Sequence, residues 1–123
     1  MEFDALSNRV IGCAIEAHRE LGPGLLESTY EKCLAYELSS HGITVATQVE
    51  LPVRYKGVLL DCGYRIDVLV DDQIIIEVKS VDKVMPIHEA QLLTYLKLAK
   101  KRIGLLMNFN TVRLKDGISR FVL

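Results

Sequence analysis

The sequence predicts a mixed α/β fold in which a central mixed sheet is flanked by helices, in the order roughly ααβββαβ. Two observations point there. Apolar residues recur at helical spacing in two early segments and one late segment, and they alternate at a period of two between them. Glycine, proline and aspartate clusters fall where the period changes.

The first helix spans roughly Asp4 to Leu21, with Leu6, Val10, Cys13, Ala14, Ala17 and Leu21 on one stripe, and Gly22-Pro23-Gly24 ends it. The second runs from about Glu27 to Ser40, with Leu26, Tyr30, Cys33, Leu34 and Leu38 as its stripe, and stops at His41-Gly42. Val45 to Leu60 alternates around Lys56-Gly57, the pattern of two strands and a turn. Arg65–Val70 and Ile74–Lys79 form a second pair joined at Asp71-Asp72-Gln73. Pro86 opens a helix reaching about Ala99, striped by Leu92, Leu93, Leu96 and Ala99. Arg102–Phe109 returns to strand character, and Val112–Leu123 is expected to be a hairpin turning at Asp116-Gly117.

A chain of 123 residues that is 50% hydrophobic suits one domain, residues 1–123, with a core large enough to fold without a staple. No stretch approaches the roughly 20 apolar residues of a membrane helix, and the opening MEFDALSNRV lacks the basic-then-apolar order of a signal peptide. The expectation is a cytoplasmic protein with no membrane partner. Cys13, Cys33 and Cys62 are odd in number and far apart, which fits buried free thiols rather than disulfides or zinc. The net charge of −1 conceals an asymmetry: residues 1–78 carry 6 basic and 13 acidic side chains, residues 79–123 carry 9 and 3. That allows a basic surface beside an acidic pocket, although the chain is not basic enough to coat nucleic acid unaided.

The chemistry concentrates in RIDVLVDDQIIIEVKS. Alternation puts Ile66, Val68 and Val70 on one face of their strand, and Ile74, Ile76 and Val78 on one face of the next. Matching those faces across a three-residue loop sets Asp67 opposite Glu77, with Lys79 opposite Arg65. Opposed carboxylates repel, and partial burial beside Leu69 and Ile75 worsens the repulsion. A divalent cation offsets it, and hard oxygen ligands suit Mg²⁺ or Mn²⁺. A solvated face with cross-strand salt bridges is the plainer reading, but a strand as apolar as IIIEVKS is normally covered on both sides.

Asp67 followed after nine residues by Glu77-Val78-Lys79 resembles the Asp…(Asp/Glu)-x-Lys motif of the PD-(D/E)XK nuclease superfamily. Gly24-Leu25-Leu26-Glu27-Ser28-Thr29-Tyr30 is similar to the signature of its small GxxExxY proteins. GYRIDVLV, EVKSV, IHEAQLLTYLKL and GLLMNFN extend the likeness along nearly the whole chain, and Gln91 to Tyr95 resembles the Gln-x-x-x-Tyr motif of the RecB-like branch. One departure is Ile66 where the superfamily motif has proline. The resemblance implies a restriction-endonuclease-like core with the motif strands central. It implies Asp67, Glu77 and the Val78 carbonyl as metal ligands, Glu27 approaching the metal from its helix, and Lys79 orienting water and stabilising phosphate charge.

The implied activity is a metal-dependent phosphodiesterase acting on DNA. The rival is a non-catalytic module binding DNA or a partner protein, and so small and near-neutral a chain would draw on a homodimer or partner for DNA contacts. Gln91 is expected to hydrogen-bond a carboxylate, water or nucleic acid, with Tyr95 and His88 on its stripe. Glu31 reads as a helix-dipole acid and Tyr30 as core. His18 and His41 read as structural, and Lys97, Lys100, Lys101 and Arg102 as a solvated helix end.

Overall fold

The structure is a computed structural model and describes residues 4–123. Helix α1 (Ala5–Leu21) begins where the Asp4 carboxylate accepts the Ser7 N–H at 2.8 Å, and it ends at Gly22. Helix α2 spans Glu27–Ser40. Strands β1 (Val45–Glu50), β2 (Val53–Tyr55), β3 (Val58–Leu60), β4 (Arg65–Val70) and β5 (Ile74–Lys79) follow, then α3 (Pro86–Ala99), β6 (Ile103–Asn108), a 3₁₀ turn (Leu114–Gly117) and β7 (Ile118–Val122).

Five strands form one mixed sheet in the order β1-β4-β5-β6-β7. Only β5 and β6 are parallel, as the α3 crossover between them requires. Val10, Leu34, Val70, Ile76 and Met107 pack between α1, α2 and one sheet face. Ile75, Leu92, Leu96 and Leu106 pack between α3 and the other. Strand β5 is therefore covered on both sides, which is why its sequence is nearly all apolar. Among the described residues no helix is long and apolar enough to cross a membrane.

Three expectations need correction. Val45–Leu60 makes three strands rather than two. The turn at Lys56-Gly57 is where alternation put it, but β2 and β3 pair only with each other, while β1 joins β4. The C-terminal segment is not a hairpin. Its Asp116-Gly117 turn belongs to the 3₁₀ element, and the one strand that follows pairs with β6, Met107 facing Ile118. Alternation gives a strand but not its partner. The thiols also differ: Cys13 is buried, Cys33 half-buried and Cys62 exposed.

Gly117 closes this C-terminal turn. A Cβ there would lie 2.3 Å from the Asn108 carbonyl oxygen. Gly117→Ala should cost about 2 kcal/mol or more, as other backbone clashes do, read as a lower urea midpoint at unchanged slope. An unchanged midpoint would show that the turn moves aside freely.

Candidate active site

The β4–β5 ladder runs Val70↔Ile74, Leu69↔Ile75, Val68↔Ile76, the register that the two apolar patterns require. One step further Asp67 would face Glu77, but the paired ladder stops. The Asp67 Oδ2 accepts the Val78 N–H at 2.9 Å. A carboxylate thus takes the place of a backbone acceptor, and the strands part beside it.

Glu77 is 4% exposed, on the α3 side of β5 with Ile75. Its Oε1 has no hydrogen-bond partner among the described residues. Burial first, then the neighbouring Asp67 charge, pushes its carboxyl up to about 8, against a smaller opposing pull from Lys79. Burial also raises Asp67, while the Val78 N–H and Lys79 act the other way. Arg65, expected across from Lys79, instead bonds the Tyr64 carbonyl and pairs with Asp61 at 3.4 Å. Lys79 is therefore the cation that acts on both carboxylates.

Glu27 comes to the site across the sheet end. Its Oε2 accepts the Ser80 N–H at 3.1 Å, and the Ser80 hydroxyl donates to the Leu25 carbonyl at 2.7 Å. Its charge acts on Asp67 and Glu77. Tyr30 is core, as expected. Its ring stacks on Phe109 at 4.5 Å, and its hydroxyl donates to the Gly22 carbonyl and accepts the Leu25 N–H. The Gly24-to-Tyr30 motif therefore pins the loop that delivers Glu27, with Gly24 in the positive-φ region (φ 95) that glycine favours.

Among the described residues Gln91 bonds no carboxylate. Its Nε2 donates to the Tyr95 hydroxyl at 2.9 Å, and the charges of Glu77 and Asp67 act on that hydroxyl. His88 is a capping residue whose Nδ1 accepts the Met85 N–H, and His18 bonds the Phe109 and Thr111 carbonyls. Of the late charge run, Lys101 pairs with Asp72 at 3.0 Å.

Two residues at the site were not found from sequence, and one was undervalued. Gln48 lies across from Asp67, between the pairs Thr47↔Val68 and Val49↔Ile66, with φ at 51°. That left-handed residue reverses the alternation. Val45, Val68 and Val70 face α1 and α2, whereas Val49 and Ile66 pack with α3, so Ile66 does not share the face of Val68 and Val70. The Gln48 Nε2 donates to both oxygens of Glu31, at 2.9 and 3.1 Å. Glu31 is consequently a buried acid that feels the Asp67 charge, not a surface dipole partner. Asn108, also missed, clamps the loop after β5 by accepting the Val81 N–H and donating to the Val81 carbonyl. A left-handed residue inside an alternating strand carries no sequence signal, whereas the buried Asn in GLLMNFN could have been suspected as an apolar run broken by an amide.

A buried carboxylate with an unsatisfied oxygen, beside the half-buried Asp67, offers the hard donors a divalent cation takes. Among the described residues no three His, Cys, Asp or Glu side chains converge on one point, so side chains alone do not close a metal shell. A backbone carbonyl or water would have to complete one, as is common for Mg²⁺.

The raised Glu77 carboxyl fixes a pH dependence. Below its ordinary value of 4.5 it is protonated whether the chain is folded or unfolded. Between 4.5 and about 8 the folded chain holds a proton that the unfolded chain releases, so metal-free stability should fall as pH rises and level off above that window. The slope should not exceed about 1.4 kcal/mol per pH unit for this group. Glu77→Gln should flatten it in urea melts across pH 5 to 8. A slope unchanged in Glu77→Gln would place the burden elsewhere.

The family model described as PD-(D/E)XK nuclease superfamily matches residues 4–121. No curated protein and no solved structure matches the chain. The mixed five-stranded sheet with helices on both faces is consistent with a restriction-endonuclease-like fold. With almost every residue inside that match, the chain belongs to the PD-(D/E)XK nuclease superfamily.

Proposed function

We propose that the protein is a GxxExxY-type nuclease of the cytoplasm, a phosphodiesterase acting on DNA and dependent on Mg²⁺ or Mn²⁺. The observation that carries this reading is the buried, unpartnered Glu77 Oε1 beside Asp67, where the β4–β5 ladder opens and Lys79 follows two residues on. Asp67, Glu77 and the Val78 carbonyl are the residues that would hold the cation, with Glu27 on α2 the further acid whose charge acts on both carboxylates. When bound, the cation would supply Lewis-acid polarisation of the phosphoryl oxygen and of the attacking water.

The chain's own groups divide the remaining work. The Lys79 ammonium holds the attacking water and balances charge growing on the phosphate. As the new oxygen–phosphorus bond forms, the bond to the leaving sugar oxygen breaks; the water gives up a proton to solvent or a nearby carboxylate, and the leaving oxygen takes one from solvent. The Gln91 amide fixes the Tyr95 hydroxyl, on which the Glu77 and Asp67 charges act. The walls from Ile75, Leu92 and Tyr95 keep the carboxylates poorly hydrated, which strengthens every charge interaction among them. The competing reading, a nuclease fold that binds DNA or a partner protein without cutting, draws support from the absence of three convergent side-chain ligands among the described residues.

Calorimetric titration with Mn²⁺ should show one site in the wild type and none in Asp67→Ala/Glu77→Ala, with a matching rise in melting temperature by mass action. Lys79→Met keeps the apolar stem and removes the charge. It should retain Mn²⁺ binding yet lose cleavage by about 10²-fold or more, as for removal of a charge-stabilising donor. Wild-type protein that binds no Mn²⁺ and cuts no single-stranded, duplex or branched DNA would establish the binding module instead.

A further inference from the structure

The β2–β3 hairpin lies outside the five-stranded sheet and is paired only with itself, three residues to a strand. A two-stranded ribbon of that size is marginal in water, and burying its apolar side chains is what would stabilise it. Here they are not buried. Tyr55 is 59% exposed, Val58 55% and Leu60 44%, and alternation with the Tyr55↔Val58 and Val53↔Leu60 pairs puts them on one face. The stretch from Val53 to Leu60 carries Arg54 and Lys56 and no acid. The Lys56 Nζ sits 5.4 Å from the centre of the Tyr55 ring, an aromatic face and a cation side by side.

The hairpin is also tied to the carboxylates. At its root the Leu51 N–H donates to the Tyr64 carbonyl at 3.0 Å. The Tyr64 ring, itself 44% exposed, meets the Tyr95 ring edge-on at 5.9 Å. Tyr95 in turn lies in the field of Glu77 and Asp67. An aromatic series thus leads from the carboxylates out through Tyr95 and Tyr64 to the ribbon that carries Tyr55. On the hairpin's other face, Arg54 and Leu59 border a groove of about 510 Å³ that Lys97 and Lys100 of the α3 end also line.

We infer that the β2–β3 hairpin and Tyr64 form a platform for an unpaired nucleic-acid strand, its bases resting on Tyr55 and Tyr64 and its phosphates met by Lys56 at the turn. This deepens the nuclease reading, and rests on it, by naming the substrate class as DNA with single-stranded character. The chemistry is that of known single-strand binders: exposed aromatic faces, which accept any base, alternate with cations that follow the backbone. A duplex offers stacked bases whose faces are inaccessible to the tyrosines. A second copy of this chain is the poorer occupant. Pairing the ribbon with itself about a two-fold axis would bring Arg54 and Lys56 of both copies together, and a three-residue edge gives little area to offset that repulsion.

The chain has no tryptophan, so Tyr55→Trp supplies a unique fluorescent probe on the ribbon. The variant is titrated in EDTA with a thymidine 12-mer and with a duplex of equal length. The expected result is saturable quenching by the single strand, weakening with salt, and at least about tenfold weaker binding of the duplex. In the otherwise wild-type chain, Tyr64→Ala and Lys56→Glu should each lower single-strand affinity severalfold without changing the circular dichroism spectrum. Absence of quenching, or equal affinity for duplex, overturns the platform. So does a concentration-dependent emission shift without DNA accompanied by a dimer in sedimentation, which would assign the face to a second copy. Quenching without Mn²⁺-dependent cleavage upholds the platform and sinks the nuclease reading. Cleavage of single strands with no quenching does the reverse.

Discussion

The bond from the Val78 amide to the Asp67 carboxylate sets the terms for everything near it. It occupies a place in the sheet where two backbones would otherwise pair, and it does so with a charged acceptor in a half-buried setting. Several other features follow from accommodating that charge. Gln48 takes a left-handed backbone across from it, at a cost of roughly 1 kcal/mol or more for a residue with a Cβ. Glu31 is held off by the Gln48 amide, and Lys79 supplies the compensating charge. The face change between Val68 and Ile66 is the geometric trace of the same event.

Around this opening the protein is rigid where rigidity serves the acids. Strand β5 is walled by helices on both sides, so Glu77 has no room to swing into solvent. The loop that follows Lys79 is clamped by Asn108 through both backbone groups of Val81 and by Glu27 at Ser80. Tyr30, stacked on Phe109, joins the loop after α1 to the end of β6. The motif residues therefore split into two kinds of work. Tyr30 and Gly24 build the frame, while Glu27, Asp67, Glu77 and Lys79 carry the charge within it.

Much of this was legible in the sequence, for identifiable reasons. The β4–β5 register followed from two apolar triplets and a three-residue loop, because a shift by one residue would expose a whole face. The helices were legible from their stripes to within a residue, and the burial of Glu77 from the unbroken apolar run around it. What escaped notice depends on tertiary context. No pattern in VATQVE announces that Gln48 adopts a positive φ, so the displacement of Ile66 and the burial of Glu31 could not be foreseen. Strand partners were also out of reach. The residues after Tyr55 alternate like any strand, and only the finished sheet decides that β1 takes the edge of β4 while β2 and β3 are left to each other. Gln91 and Tyr95 were placed on one stripe of α3, and the four-residue spacing that put them there is what lets the Gln91 amide donate to the Tyr95 hydroxyl.

The placement of the β2–β3 ribbon has an evolutionary consequence. Its strands share no rung with the five-stranded sheet, and its tip at Lys56-Gly57 is a solvent-exposed turn with both residues at positive φ. Residues could be inserted or removed there without shifting the register of β1 or β4, because neither strand reads its alignment from the ribbon. Descendants of such a chain can lengthen, recharge or strip this appendage one step at a time while the acids on β4 and β5 stay untouched. The chemistry and the choice of what is brought to it are therefore free to diverge at different speeds.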